Sequence, residues 1–318
     1  MSASGDSSGP NSRVIDVMNF LAAHPTESFT LSEIATRLGL SNGSAHRLLT
    51  TLAEARYLSR HPKHKTYSLG MALVAIGQAA LAQHRDIDVA RREMARVADE
   101  LGVQCYATTV VHDELLFLAC EGAPQSFDPP NRVGERRPFM PPLGMGHVAW
   151  AGREAQRDWL SRVPAALADS ACDHLERALD VMRVRGYGIA GSGPALRALR
   201  QFTAQPIGAQ GSQGFWAGMR QLLTDLTDNE IQLLDLADVS ADGVSYISAP
   251  VFAPAGSVAL ELTVSGLPPH LSPGEIERYV ERLRAAAAIV TSETHGRMPP
   301  PDGGPRPMKH DTVKRHMA

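Results

Sequence analysis

Residues 30–70 read TLSEIATRLGLSNGSAHRLLTTLAEARYLSRHPKHKTYSLG, and their spacing decides the fold of the N-terminal part of the chain. Thr30 followed three residues later by Glu33 is a capping box, an arrangement that satisfies two orphan N–H groups and opens a helix. Ile34, Ala35 and Leu38 fall on the buried face of that helix, and Gly39 ends it where a residue with left-handed backbone is favoured. Ser41 is a second N-cap, opening a helix from Asn42 to about Ala55. Ala45, Leu48, Leu49 and Leu52 form its apolar stripe; Asn42, Ser44, His46, Arg47, Thr50 and Thr51 form the other face. Tyr57–Arg60 and Thr66–Leu69 are then two β-type runs around the basic turn His61–Lys65, which reads as a hairpin. Two helices joined by Gly-Leu-Ser with a basic hairpin behind them are the pattern of a winged helix-turn-helix. Such a unit lays its second helix in the major groove of double-stranded DNA, with the helix N-terminus at the base edges. Ser41, Asn42, Ser44, His46, Arg47 and Thr50 are the candidate groove residues, and Arg60, Lys63 and Lys65 the candidate phosphate or minor-groove contacts.

Working outward, Arg13–Ala23 places Val14, Val17, Met18 and Leu21 on one helical stripe, closed by His24-Pro25. Residues 1–11 have neither the basic nor the apolar segment of a secretory signal and read as a flexible polar arm. Downstream, Gly70–Val97 is helical in pattern: a linker helix over residues 73–90, then the first helix of a second domain. Cys105–Val111 and Leu115–Cys120 read as strands around His112-Asp113-Glu114. Val244–Phe252 and Ser257–Val264 do the same around Ala253–Gly256. Pro273–Thr294 is a closing helix, and the Pro- and Gly-rich tail from Arg297 reads as disordered. The fold class is α+β: a winged helix-turn-helix over residues 12–72, the linker helix, and an α/β domain over 91–296.

Bulk properties agree. A chain of 318 residues with 43% hydrophobic and 20% charged content has room for two modest domains. No apolar run of about 18 residues exists, so no membrane span is expected. Cys105, Cys120 and Cys172 are odd in number and lack C-x-x-C spacing, which argues against a disulfide framework or structural zinc and for a reducing, cytoplasmic setting. Between Ser12 and Val74 seven Lys/Arg face four Asp/Glu, while the whole chain carries −3. A basic N-terminal unit joined to an acidic remainder suits a nucleic-acid reader with a separate sensing module.

The residues of the helical pair and wing resemble the N-terminal domain of IclR-family regulators. The matching positions are Leu31, Ala35, Leu38, Gly39, Leu40, Ser44, Arg47, Leu48, Leu49 and Leu52, followed by Tyr67-Ser68-Leu69-Gly70. The likeness continues at Arg185-Gly186-Tyr187, Ala249-Pro250-Val251-Phe252, Gly256 and Val264-Ser265-Gly266. It implies a GAF-like effector-binding domain for the C-terminal half, a homodimer or dimer of dimers on a palindromic operator, and a small-molecule effector. The expected cavity walls are Leu143, Met145, Tyr246 and Ser248. The sequence departs from the family pattern in places. Arg56 stands where glycine is usual, the stretch with G-K-A appears as Pro141–Trp150, and Tyr246 stands near a usual cysteine. Gly188–Gly243 is a long insert with helix-like runs at Trp216–Leu226 and Asp228–Leu236.

Competing motifs are weak. Gly144–Ala149 matches G-x-G-x-x-[GA], but its lead-in Pro-Phe-Met-Pro-Pro is no buried strand, so a packed loop at the cavity edge is expected rather than a dinucleotide site. His61 and His64 lack a nearby Cys or carboxylate, and no metal or cofactor is expected. His147 reads as a core or pocket histidine, Cys105 and Cys120 as inert buried thiols, and Trp150, Trp159 and Trp216 as core or interface anchors. No G-x-S-x-G, H-E-x-x-H or P-loop occurs, which weighs against the alternative of a small-molecule-processing enzyme with an N-terminal helical dimerisation module.

Overall fold

The computed structural model describes residues 10–22, 24, 27–123, 131–162, 169–203, 213–240 and 242–299. Most of the expected polar arm, and the expected tail beyond Pro299, lie outside the described residues.

The N-terminal unit runs α1 (Pro10–Ala22), β1 (Phe29–Thr30), α2 (Leu31–Arg37), α3 (Asn42–Glu54), β2 (Leu58–Arg60) and β3 (Thr66–Leu69). The three strands form an antiparallel sheet in the order β1-β3-β2. Both predicted caps form. Thr30 and Glu33 make the reciprocal capping box of α2, and the Ser41 hydroxyl accepts from the Ser44 amide to start α3. Val17, Phe20, Leu21, Ile34, Leu49, Leu58 and Tyr67 meet in one apolar cluster, so the stripes of three helices and the wing share a core. Arg56 adopts φ 62° at the turn into β2, the conformation a glycine would take there. Its carbonyl lies so close under Gly70 that a Cβ added there would sit 2.2 Å from it. Arg56 thus makes the turn without a glycine of its own, and glycine is needed at Gly70.

The linker helix expected over 73–90 stops earlier, as α4 (Ala72–Leu81), and the helix expected to open the second domain from residue 91 begins earlier, as α5 (Arg85–Leu101). His84 leaves the helical region at φ −116°, ψ 66°, and Asp86 and Asp88 in the first turn of α5 favour a new N-terminus. Sequence periodicity carries across such a break, so it does not reveal it. α5 buries Ile87, Val89, Ala90, Met94 and Val97, whereas α4, ALVAIGQAAL, buries nothing.

The C-terminal part is built on a six-stranded antiparallel sheet in the order β6-β5-β4-β9-β8-β7. Its strands are β4 (Gln104–Val111), β5 (Glu114–Glu121), β6 (Arg136–Pro138), β7 (Gly188–Gly191), β8 (Val244–Phe252) and β9 (Val258–Ser265). Between β6 and β7 lie α6 (Met145–Val148), α7 (Arg153–Leu160) and α8 (Asp169–Arg185). Between β7 and β8 lie α9 (Pro194–Thr203), α10 (Gln213–Thr224) and α11 (Asp228–Ile231), and α12 (Pro273–Glu293) closes the chain. One face of the sheet, including Cys105, Ala107, Ile247, Ala249, Leu262 and Val264, packs on α5 and α12 in the largest core cluster. The helices α6, α7 and α8 gather around a second cluster that contains Trp150, Trp159, Leu175 and Met182. The insert differs from expectation. Gly188–Gly191 is an edge strand of the sheet, α9 was not foreseen, and the run Asp228–Leu236 is helical only to Ile231. A four-residue strand reading GIAG carries no β-branched pair to announce it beyond Ile189.

Candidate nucleic-acid interface and candidate effector cavity

α3 turns Ala45 and Leu49 fully inward, with Leu48 and Leu52 half-buried beside them. That leaves Asn42, Gly43, His46, Arg47 and Thr51 exposed, and Ser44 and Thr50 half-buried at the margins. Ser41 and Ser44 hold each other: the Ser44 amide donates to the Ser41 Oγ at 3.2 Å, and the two hydroxyls are 3.0 Å apart. Their first duty is the helix start, and the outward chemistry falls on Asn42, His46 and Arg47. Gly43 lies on this outer face with open space around its Cα, a feature that the sequence pattern alone did not single out.

In the wing, Arg60, Lys63 and Lys65 are all exposed. Arg60 stacks its guanidinium 5.5 Å from the Tyr67 ring, which holds the charge at the wing's base. Lys65 takes φ 57°, and the turn is organised by His61, whose Nδ1 accepts from the amides of Lys63 and His64 at 3.3 and 3.1 Å. His61 is therefore a turn former. No group of three or more His, Cys, Asp or Glu suited to a metal occurs among the described residues.

The second site lies on the other face of the six-stranded sheet. The register places Tyr106 opposite Thr263 and Thr263 opposite Ser248; one rung away, Thr108 is opposite Glu261. In an open sheet such polar rows would face water. Here they are roofed by α6, by Met182 of α8 and by Leu196 and Arg200 of α9, and they enclose a cavity of ≈ 70 Å³. All four wall residues expected from the sequence, Leu143, Met145, Tyr246 and Ser248, line this one cavity, and Arg137, Arg200, Glu261 and Tyr106 join them. The charged members are those the sequence reading missed. Their signal was the alternation Glu261-Thr263-Ser265 between Leu260, Leu262 and Val264: a strand apolar on one side and polar on a side that is also buried.

The electrostatics of this cavity follow from burial. Burial pushes the Glu261 carboxyl up to about 7, only partly opposed by a hydrogen bond from Ser248. It pushes the His147 imidazole down to about 4. His147 Nε2 is 3.3 Å from Thr108 Oγ1 and 3.8 Å from Glu261 Oε2. The Tyr106 and Tyr246 phenols are likewise raised by burial. A Cβ on Gly146 would fall 1.9 Å from Glu261 Oε1, so any larger residue here displaces that carboxyl. The G-x-G-x-x-[GA] stretch is thus a packed turn at the cavity edge. Arg137 is held in a buried network. Its Nη2 donates to Asn131 Oδ1 and its Nε to Glu135 Oε1, both at 2.8 Å, and its guanidinium lies 4.6 Å from the Phe117 ring. Cys105 is buried and its thiol pushed up, and burial lifts Cys120 to about 12; neither is poised for redox chemistry. Trp150 and Trp159 are core residues, with Trp159 Nε1 donating to the Leu143 carbonyl at 3.3 Å; the side chain of Trp216 lies outside the described residues.

A helix-turn-helix with an exposed polar second helix and a basic wing, joined to a domain that encloses a polar cavity, is the build of a DNA-binding transcription regulator. Residues 12–62 match the family model described as the IclR helix-turn-helix domain. The chain is 22% identical over 291 residues to the HTH-type transcriptional regulator KdgR of Escherichia coli (strain K12), covering 89% of this chain and 92% of that protein. Its fold is that of the IclR transcriptional regulator from Alicyclobacillus acidocaldarius, at TM-score 0.63 and 19% identity over 90% of this chain and 98% of the other. An IclR homolog complexed with 4-hydroxybenzoate from Microbacterium hydrocarbonoxydans aligns at TM-score 0.60 and 22% identity, over 90% and 99% of the two chains. Residues 12–62 thus carry a helix-turn-helix of the IclR type, and the chain as a whole is similar to transcriptional regulators, which favours the regulator reading over the enzyme alternative.

Proposed function

We propose that this regulator binds a palindromic operator as a homodimer or dimer of dimers in the cytoplasm, through α3 and the wing, with affinity set by a small organic acid in the sheet cavity. The carrying observation is that Asn42, Gly43, His46 and Arg47 of α3 and the basic wing turn Lys63–Lys65 are all exposed. Arg47, with Asn42 and His46, takes the groove, while Arg60, Lys63 and Lys65 take the phosphates. Self-association is supported by α4, where Val74 is 54% and Ile76 48% exposed, next to Met71 at 79%. An acid is supported by the two arginines, Arg137 and Arg200, in a cavity that holds tyrosine and serine hydroxyls, and by the relative that binds 4-hydroxybenzoate.

Selection of bound duplexes from random DNA tests the reading. A palindrome with half-sites about one or two turns apart is expected, with affinity falling steeply as salt rises. Arg47→Ala should cost about 1–3 kcal/mol and relax preference at one position if it reads a base. A chain that prefers no duplex, with or without organic acids, overturns the reading.

A further inference from the structure

We propose that Glu261 meets the effector as a neutral carboxyl group, donating its O–H to the effector's carboxylate, so that the acid and one proton enter the cavity together. This rests on the effector reading above and adds to it the group that recognises the acid. Glu261 lies in the middle of β9 between Leu260 and Leu262, 9% exposed, opposite Thr108 of β4 and Pro250 of β8. Gly146 of α6 closes directly over its carboxyl. An ionised carboxylate taken out of water needs a cation or several donors around it. Glu261 has the Ser248 hydroxyl as donor and, among the described residues, no ion pair with an arginine or lysine. The other titratable and charged groups around it do not supply the missing cation. His147 of α6 stands 3.8 Å away, and burial pushes its imidazole down to about 4, so it is neutral at pH 7. Tyr106 of β4 and Tyr246 of β8 are raised by burial and stay neutral as well. Arg137 of β6 and Arg200 of α9 line the same cavity, but Arg137 is paired with Glu135 and Arg200 lies 3.4 Å from the Ser245 hydroxyl. Burial accordingly lifts the Glu261 carboxyl to about 7.

A neutral carboxyl offers one acceptor and one donor. The acceptor takes the Ser248 hydroxyl. The donor has no such partner on the far side: His147 Nε2, at 3.8 Å, is beyond hydrogen-bond reach and lies 3.3 Å from Thr108 Oγ1 instead. Glu261 lines the cavity, so the group that completes this O–H is one that enters there. A carboxylate is the acceptor best suited to it, because an O–H···O⁻ bond is roughly twice as strong as one between neutral partners. An ionised Glu261 would repel the same ligand, since two carboxylates sharing one site cannot both be charged. The occupied cavity therefore holds one proton between two carboxyl groups, and that proton belongs to the pair. Below neutral pH Glu261 already carries it. Above neutral pH the chain takes it from solvent as the acid binds, so that an ionised Glu261, one proton and the effector carboxylate become a carboxyl–carboxylate pair of charge −1. A buried carboxyl kept neutral so that it can donate is an established device for recognising oxyanions.

Titration calorimetry on the full chain tests this with 4-hydroxybenzoate and propanoate, each beside its primary amide, in buffers of different ionisation enthalpy at pH 6 and pH 8. At least one acid is expected to bind wild type, taking up about 0.9 proton at pH 8 and about 0.1 at pH 6, with affinity about tenfold weaker at pH 8. The amide can donate its own N–H to an ionised Glu261 and should take up markedly less. Glu261→Gln donates at every pH, so it should take up no proton and hold the acid equally at pH 6 and pH 8. Uptake at pH 8 that is the same in wild type and Glu261→Gln overturns the assignment and leaves the effector cavity standing, as does uptake as large for the amide as for the acid. The comparison of acid with amide uses wild type alone, so the test survives a variant that fails to fold. Binding of neither acid to wild type overturns both readings.

Discussion

Replacing Glu261 by Gln should stabilise the C-terminal domain at pH 8 and leave it unchanged near pH 4.5. The carboxyl is wedged under Gly146 and beside His147, in the cavity that Tyr246 and Tyr106 also line, with Ser248 as hydrogen-bond donor. Burial raises its pKa from 4.5 to about 7. In that interval the folded chain holds a proton that the unfolded chain has released. The stability contributed is therefore complete below about pH 4.5 and is lost as pH climbs through 7. The separation of two and a half units, at about 1.4 kcal/mol per unit, puts the loss at roughly 3 kcal/mol. Glutamine has the same shape, accepts from Ser248 and never charges, so the variant escapes the loss. His147 works in the opposite direction. Its pKa, lowered from 6.5 to about 4, makes its contribution fade as pH falls through that range, in wild type and variant alike. The difference between the two proteins then isolates Glu261. Urea unfolding followed by tryptophan fluorescence is suited to this, because Trp150, Trp159 and Trp216 all belong to the C-terminal part of the chain. A gap between variant and wild type that is the same at pH 4.5 and pH 8 refutes the reasoning; a gap that opens by about 3 kcal/mol between them supports it.

Gly43→Ala should do two opposed things. A methyl there meets open space in the first turn of α3, so folding stability rises, by no more than the about 0.5–1 kcal/mol of a mid-helix position. DNA affinity measured by fluorescence anisotropy falls, since the added group stands on the face assigned to the groove; unchanged affinity would move the duplex off this part of α3. Arg56→Gly releases a left-handed strain of about 1–2 kcal/mol but adds freedom to the unfolded chain. The net in denaturant melts is a gain of up to about 1 kcal/mol, and a clear loss would contradict the strained turn. Lys63→Ala with Lys65→Asn, asparagine being tolerant of the φ of 57° at Lys65, should flatten the plot of log affinity against log salt by about two units. An unaltered slope would take the wing off the phosphates.

The parts of the fold that were legible in the sequence are those governed by local chemistry. Thr30 with Glu33 and the lone Ser41 start their helices because their side-chain oxygens reach orphan amides within the same turn, and such partners stand at fixed spacing. The long strands β4, β5, β8 and β9 were legible from apolar runs around polar turns. What escaped is decided by contacts between distant segments. The break at His84, the pairing of Gly188–Gly191 with β8 and the seating of α9 on Met140 depend on partners far along the chain. The cavity divides in the same way. Leu143, Met145, Tyr246 and Ser248 were placed by likeness to a family, but Arg137, Arg200 and Glu261 carry charges, and a charge in a sequence defaults to the surface. Only the roof over the polar side of the sheet, much of it from the insert, turns them inward.

A ligand alters DNA affinity only by binding two arrangements of the chain unequally, so the cavity must reach the N-terminal unit through groups that move together. Arg137 is the wall residue with such a reach. Its guanidinium is bound to Asn131 and Glu135, and Glu135 in turn accepts from the Arg132 amide at 3.2 Å. This ties the whole 131–135 turn to one cation. The tip of that turn meets the N-terminal unit: a Cβ on Gly134 would fall 3.3 Å from Ala22 at the end of α1, and Arg132 lies 3.9 Å from Glu27. Asn131, Glu135 and Arg137 are each buried, so none can swing without dragging its partners or losing a desolvated hydrogen bond, which costs about 1–3 kcal/mol. That figure is of the same order as a typical coupling energy of about 1–3 kcal/mol between sites. The exposed contact of Arg132 with Glu27 carries little by itself. The buried triad, by contrast, links the Arg137 wall to the turn that meets the end of α1, whose Val17, Phe20 and Leu21 share the core on which α3 rests.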